Sequence, residues 1–391
     1  MQPMIIIGSG MAGYTLAREY RKLNKEQPLI MLCADDGASY AKPTLSNALA
    51  SNKHPTQIAL ADANKMAEQL NMQIITHAWV TAVDSEQHTL SYTQNQQTFE
   101  LEFSQLILAV GANPIRLAIS GDGSDDIHLI NSLTDYRAFR EHLDLQQQQR
   151  IVILGAGLIG CEFANDLHQA GHAATVIDLA PQPLGRLLPA HVASAFQQKL
   201  QQSGVRFILE TTVDRVSKID QHYLITLANG HSIEADAVIC AIGLQPNIEL
   251  AKQTGINTSR GIITNTLMQT NLQHIYALGD CAEVNGTLLP YVMPLMQQAR
   301  ALAKTLAGEH TQVHYPAMPV AVKTPAAPLT VLPPPQNVVV NWETEYLEDG
   351  LVSKAIDSEN MLRGFVLLGA TAAKQRLSLT KLVPDLIPAQ V

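Results

Sequence analysis

Two glycine fingerprints of one kind, set far apart in the chain, constrain its fold more than any other feature. The first reads MIIIGSGMAGYTLA and carries Gly8, Gly10 and Gly13; the second reads IVILGAGLIGCEFA and carries Gly155, Gly157 and Gly160. Each follows a short apolar run and opens a stretch with helical patterning, the context that makes GxGxxG a dinucleotide-binding signature. Glycine permits the tight turn and lets backbone approach a pyrophosphate. The helix N-terminus behind it offers free N–H groups and the positive end of its dipole. One such motif points to a single nicotinamide cofactor. Two point to two dinucleotides that meet, most economically FAD and NADH.

The surrounding pattern repeats too. Residues 4–33 read strand, helix, strand, a βαβ unit with a right-handed crossover. Past residue 116 a helical stretch and the run QQQQR, expected as a solvated helix end, lead into a second such unit. The exit segment LILAVGANP is echoed by DAVICAIGLQPN, which predicts a duplicated architecture. Residues 87–102 alternate like an antiparallel hairpin. In the loop DDGASYAKPTLSNAL, Pro43 prevents an uninterrupted helix. Near residue 245 the chain is expected to return to the first unit, with NLQHIYALGDCAEVNG as strand and turn and PLMQQARALAKTLAG as helix. From Pro319 onward VAVKTPAAPLTVLPPP, NVVVNWETEYL and MLRGFVLLGAT read as three antiparallel strands, closed by a helix over AAKQRLSLTKLV. The expected fold is α/β: two Rossmann-like dinucleotide-binding domains plus a small α+β C-terminal domain. The boundaries are 1–115 with 245–318 for FAD, 116–244 for NADH, and 319–391 for an interface domain.

Composition narrows the class. With 46% hydrophobic and 16% charged residues over 391 positions, the chain reads as a compact protein of two or three domains. A net charge of −9 argues against nucleic acid, which wants a basic face. Cys33, Cys161, Cys240 and Cys281 form no CxxC or CxxxxC pair, so neither a metal site nor a redox disulfide is expected. They suit buried thiols in a reducing compartment. The first strand begins too close to Met1 for a charged n-region and an apolar h-region, and no apolar run reaches the roughly 18 residues of a membrane span. A soluble cytoplasmic protein is expected.

The two fingerprints, the Glu162 that trails the second, the segment IYALGDCAE and the small C-terminal domain carry a resemblance over nearly the full length. The chain is similar to the flavoprotein reductases of the glutathione-reductase superfamily, without the redox disulfide. Within them it resembles the branch that serves soluble iron proteins. GLIGCEFANDL, IYALGDCAEV, YVMPLM and PVAVKTPA draw it toward the rubredoxin reductases of bacterial alkane hydroxylation. The resemblance implies hydride transfer from NADH to FAD, then delivery of single electrons to rubredoxin, which feeds an alkane hydroxylase. Two further readings stay open: a [2Fe–2S] ferredoxin of an oxygenase system as acceptor, and an NADH-sensing redox signalling protein. An NADH oxidase or quinone reductase is disfavoured, because the FAD loop lacks the cysteine that peroxidase-type members need.

Site residues follow. Gly8, Ser9, Gly10, Met11, Ala12 and Gly13 are expected to wrap the FAD pyrophosphate. Asp35 is the candidate carboxylate for the adenosine ribose, with Ala34 as the alternative register. On the resemblance, Val80 offers backbone to the adenine, Asp280 accepts from the ribityl chain, and Val292 is a further FAD contact. Lys42 and Lys323 are placed near the isoalloxazine, where a cation stabilises the reduced flavin. Many oxygenase-type reductases carry a lysine where this chain has Asn47, and Lys323 is expected to take over its charge. Gly155, Gly157, Ile159 and Gly160 are expected to hold the NADH pyrophosphate. Glu162 is expected at the carboxamide, Asp178 at the ribose 2′-OH, and Gly243 in close backbone approach to the nicotinamide. No side chain is needed as general acid or base. Docking of an acidic rubredoxin is assigned to a patch of Lys42, Lys53, Lys323, Lys374 and Arg376.

Overall fold

The computed structural model describes residues 1–143 and 148–388, so the glutamine run read as a helix end lies partly outside the described residues. Met4–Ile7 is apolar and buried at every position, as a strand covered on both faces must be. It centres a five-stranded parallel sheet in the order Ile275–Ala277, Gln105–Leu108, Met4–Ile7, Leu29–Leu32, Gln73–Ile75. The edge strand Ile275–Ala277 comes from far along the chain, and the helix beyond it, Val292–Leu306, packs along the fingerprint helix Met11–Leu23. A second parallel sheet has four strands, Arg206–Ile208, Ala173–Ile177, Arg150–Leu154 and Ala237–Cys240.

Each parallel sheet has a three-stranded antiparallel companion, Trp79–Asp84 with Thr89–Gln94 and Gln97–Glu102, and Val213–Ile219 with His222–Leu227 and Ser232–Ala235. The duplication is therefore visible layer by layer. The two echoing exit segments also meet, as Ala112–Pro114 pairs antiparallel with Leu244–Pro246. Around Pro43 the chain forms only a 3-10 helix, Lys42–Asn47.

The C-terminal region differs from expectation. It is a five-stranded antiparallel sheet in the order Val320–Val322, Leu329–Leu332, Leu362–Leu368, Gly350–Ile356, Asn341–Leu347. The first expected strand folds back on itself after Val322 to give two. Gly350–Ile356 has no counterpart among the three expected, although Asp349–Gly350 is a strong hairpin dipeptide. The expected closing helix is two short ones, Ala370–Ala373 and Arg376–Thr380.

The two faces of this sheet have different partners. Leu329, Val331, Leu351, Val366 and Leu368 share one apolar cluster with Ile151, Ile153 and Phe196 and with Leu45, Ala48 and Leu49. Val352, Phe365 and Leu367 point the other way, onto Ala372 and Leu379 of the short helices.

Helix Leu158–Gln169 ties these units together. It is buried along most of its length, so its polar side needs partners. Glu162, Asn165 and Asp166 are 4%, 2% and 2% exposed, and their spacing puts them on one face. Asn165 Oδ1 accepts from the Ala326 N–H at 3.1 Å. Asp166 accepts from the N–H groups of Leu49 at 2.9 Å and Ala50 at 3.0 Å. Burial nevertheless pushes the Asp166 carboxyl up to about 6 against the pull of those amides.

The folded chain thus holds the Asp166 proton more tightly than the unfolded chain does. Its contribution to stability falls as pH rises from the unfolded value of 3.8 to about 6 and is level above that. Asp166→Asn removes this titration. In paired denaturant melts the advantage of the wild type over Asp166→Asn should widen by about 1 kcal/mol between pH 7 and pH 5; a constant gap contradicts the assignment.

Candidate functional site

Both fingerprints open onto one continuous cavity of about 1890 Å³, well above the roughly 300–1,000 Å³ of a single-ligand pocket. Gly8, Ser9, Gly10, Met11, Ala12, Ala34, Asp35, Lys42, Val80, Asp280, Val292 and Lys323 line it, and so do Gly155, Gly157, Ile159, Glu162, Asp178 and Gly243. Gly13 and Gly160, expected with them at the pyrophosphates, do not line it. A Cβ on Gly13 would stand 2.0 Å from Gly8 O, and one on Gly160 1.9 Å from Gly155 O. Both are glycine because helix and strand touch there.

Gly10 and Gly157 are different. Each is the N-cap of its helix without a side-chain cap bond, and a Cβ on either would meet no protein atom within 4 Å. Nothing in the chain requires glycine at these two points. The bare helix N-termini and the open space in front of them suit a bound anionic pyrophosphate at each fingerprint.

The two halves diverge just after the second strand of each βαβ unit. Gly8 N–H donates to Leu32 O and Gly155 N–H to Ile177 O, so Cys33 and Asp178 occupy equivalent positions. Cys33 is fully buried and its thiol is pushed up to about 12 by burial. The carboxylate on the first side comes from Asp35, whose Oδ1 accepts from the Ser9 hydroxyl at 3.0 Å and from the Gly37 N–H at 3.0 Å. Asp178 is held directly, accepting from the N–H groups of Ala156 at 2.5 Å and Ala180 at 2.7 Å.

Opposite the fingerprints, Gly279 takes φ +82° and its Cβ position lies 2.7 Å from Ala12 Cβ, so only glycine lets the Asp280 turn come this close. Burial raises the Asp280 carboxyl above its usual range while Lys42 pulls it back. Burial likewise lowers the Lys42 ammonium, opposed by Asp280 and then Asp135. The two charges thus face each other through the cavity.

At the junction of all three units stands Glu162. Its Oε2 accepts from Lys323 Nζ at 2.6 Å and from the Ser46 hydroxyl at 2.5 Å, and its Oε1 accepts from the Lys323 N–H at 3.0 Å. Lys323 Nζ also donates to Ser46 Oγ at 3.2 Å. Glu162 was expected at the nicotinamide carboxamide; within the chain its carboxylate holds Lys323 and Ser46 at the cavity wall. Lys323 thus brings an ammonium to the cavity wall, paired to Glu162. Ser46 was not anticipated, though it stands in the same PTLSN segment as Asn47.

The five basic residues do not gather. Lys323 is ion-paired, Lys42 is recessed in the cavity, and Lys53, Lys374 and Arg376 are absent from its wall. Lys374 and Arg376 border the short helices on the far face of the C-terminal sheet, because successive strand residues point to opposite sides.

Comparison with known proteins gives the family. Residues 2–304 match the family model described as pyridine nucleotide-disulphide oxidoreductase, and residues 312–383 match one described as rubredoxin binding C-terminal domain. The chain is 69% identical over 393 residues to a rubredoxin-NAD(+) reductase of Acinetobacter baylyi, covering 100% of both chains. It is 40% identical over 389 residues to the protein of the same name from Alcanivorax borkumensis, covering 99% of this chain and 100% of that one. Among solved structures it is similar to a covalent putidaredoxin reductase–putidaredoxin complex, at TM-score 0.87 and 22% identity over 98% of this chain and 94% of that chain.

The glycine analysis separates binding from folding. Gly157→Ala should fold with an unchanged Tm and keep FAD, yet raise the Kd for NADH at least about tenfold; Gly10→Ala should do the same for FAD. Gly160→Ala should instead lose about 1–3 kcal/mol or more of stability, because its methyl meets backbone. A Gly157→Ala protein with wild-type NADH affinity overturns the assignment.

Proposed function

The chain belongs to the pyridine nucleotide-disulphide oxidoreductase family, and from that membership we propose how it works as a rubredoxin–NAD(+) reductase. It is an FAD-dependent oxidoreductase that passes electrons from NADH to rubredoxin. We assign FAD to residues 1–115 with 245–318, NADH to 116–244, and the acceptor side to 319–391. The shared sheet of Met4–Ile7 and Ile275–Ala277 supports the discontinuous first unit.

Bound FAD supplies both the acceptance of a hydride and the release of single electrons. The protein supplies position and charge. Gly10 and Gly157 leave the two helix N-termini open to the pyrophosphates, while Asp35 and Asp178 offer carboxylates to the two riboses. Asp178 also repels a 2′-phosphate, which favours NADH over NADPH. Asp280 and Lys42 set opposite charges on the flavin side. Lys323 brings a further cation, and Glu162 and Ser46 fix its ammonium. No acid or base is required of any side chain.

One observation carries the acceptor reading. The segment that matches the rubredoxin-binding model contains Lys323, and Lys323 reaches the cavity wall between the two fingerprints. The unit that receives the acceptor therefore contributes directly to the redox site. Supply of electrons to an alkane hydroxylase rests on the sequence resemblance. A cytoplasmic location is supported by the four buried cysteines without a disulfide and suits a reducing compartment. Among the described residues no helix is long and apolar enough to cross a membrane.

Anaerobic NADH oxidation by the FAD-loaded protein, with rubredoxin and a [2Fe–2S] ferredoxin at equal concentration, tests the reading; faster ferredoxin reduction would sink it. Lys323→Met should lower turnover with rubredoxin by about tenfold while leaving the NADH Kd within about threefold. Lys323→Met leaves the Glu162 side chain, 5% exposed, without its cation but with the Ser46 hydroxyl and the residue 323 N–H, so a stability loss of about 3 kcal/mol is expected. Unchanged rubredoxin turnover in Lys323→Met removes this residue from the site.

A further inference from the structure

The turn that carries Asp280 is held from both sides. On the inner side Leu278 N–H donates to Leu108 O at 3.1 Å, and the buried Cys281 thiol donates to Leu108 O at 3.5 Å and Leu278 O at 3.4 Å. On the outer side stands Gln298, in the middle of helix Val292–Leu306 and 1% exposed. Its Oε1 accepts from the Gly279 N–H at 2.6 Å. Gly279 can only donate there, so the amide nitrogen must face the other way. It donates to the Tyr315 hydroxyl at 2.7 Å.

Tyr315 is itself fully buried and is pinned by the end of the chain. Its N–H donates to Ile387 O at 2.9 Å, and its carbonyl accepts from the N–H groups of Leu386 at 2.8 Å and Ile387 at 3.1 Å. Burial pushes the Tyr315 phenol up to about 12, so it stays neutral. The result is an unbroken line from residues 386–387 through Tyr315 and Gln298 to the amide of the residue before Asp280. An apolar side chain would fill the same space as Gln298, but it would orphan the Gly279 N–H in a turn that already needs φ +82°.

We propose that Gln298 and Tyr315 are positioning residues that aim Asp280 at the flavin dinucleotide, with Leu386 and Ile387 completing the relay. The proposal rests on the reading of Asp280 as an FAD contact. It also links two parts of the chain, since Tyr315 stands at the start of the segment that matches the rubredoxin-binding model. The buried side-chain bonds of Gln298 tie that segment's Tyr315 to the turn on the flavin side.

The test is titration of the apoprotein with FAD, followed by the visible spectrum of the bound flavin and the Kd for NADH. Gln298→Met, close in shape but unable to pair, should raise the FAD Kd about tenfold, the size of one buried hydrogen bond, with NADH affinity unchanged. Asp280→Asn should raise the FAD Kd by at least as much. The double variant should match Asp280→Asn alone, because Gln298 acts only through that turn. If Asp280→Asn binds FAD normally, the reading of Asp280 itself fails. If Asp280→Asn weakens FAD while Gln298→Met does not, or if the two effects multiply, the positioning role is refuted. Tyr315→Phe provides the readout should Gln298→Met fold poorly: about threefold weaker FAD with an unshifted Tm is expected, and wild-type affinity overturns the relay.

Discussion

Glu162, Asn165 and Asp166 turn one face of a buried helix into the joint on which the rest of the structure depends. Three polar side chains on a buried helix are a cost unless each finds donors. Here the donors come from elsewhere: Leu49 and Ala50 from the loop after the 3-10 helix, Ala326 and Lys323 from the C-terminal sheet. The gain is orientation more than net stability, since buried charged groups contribute little beyond an apolar face of equal shape. The apolar cluster around Leu45, Phe196, Leu351 and Val366 supplies the stabilising burial.

That joint explains why one cavity, and not two, lies between the fingerprints. The crossing strands Ala112–Pro114 and Leu244–Pro246 pair with each other, so the halves leave and re-enter side by side. The bare helix ends at Gly10 and Gly157 then open into shared space. Duplication did not make the halves identical. Where the second half places Asp178 directly, the first buries Cys33 and brings Asp35 back through the Ser9 hydroxyl. A cavity carboxylate beside each fingerprint can therefore be supplied from two different positions, provided the surrounding backbone and side chains offer a matching donor.

The legible part of this fold was the part with strong local rules. Both βαβ units, the exit echo and the returning strand Ile275–Ala277 follow from glycine spacing and apolar runs. The C-terminal sheet is less legible because Gly350–Ile356 is preceded by an acidic pair and opens on a glycine, both loop-like, and because one stretch folds back at Lys323–Pro328. Site roles divided the same way. Cavity residues near the fingerprints were readable from the motif, whereas Gly13 and Gly160 differ from Gly10 and Gly157 only in what lies across from their Cβ. The partner of Glu162 was hidden for a related reason: Ser46 and Lys323 are brought together by tertiary packing, and no local spacing announces it.

The two faces of the C-terminal sheet settle where charge can act on an acceptor. The inner face is committed to the shared core, and Lys323 leaves it only to be neutralised by Glu162. Lys374 and Arg376 lie behind the sheet, away from the cavity wall that Lys42 and Lys323 line. A chain of net charge −9 also works against long-range attraction of an acidic partner. With little long-range attraction, an encounter with such a partner is brief. A small, quickly released partner suits that arrangement better than a tightly held one, because each NADH requires two separate encounters.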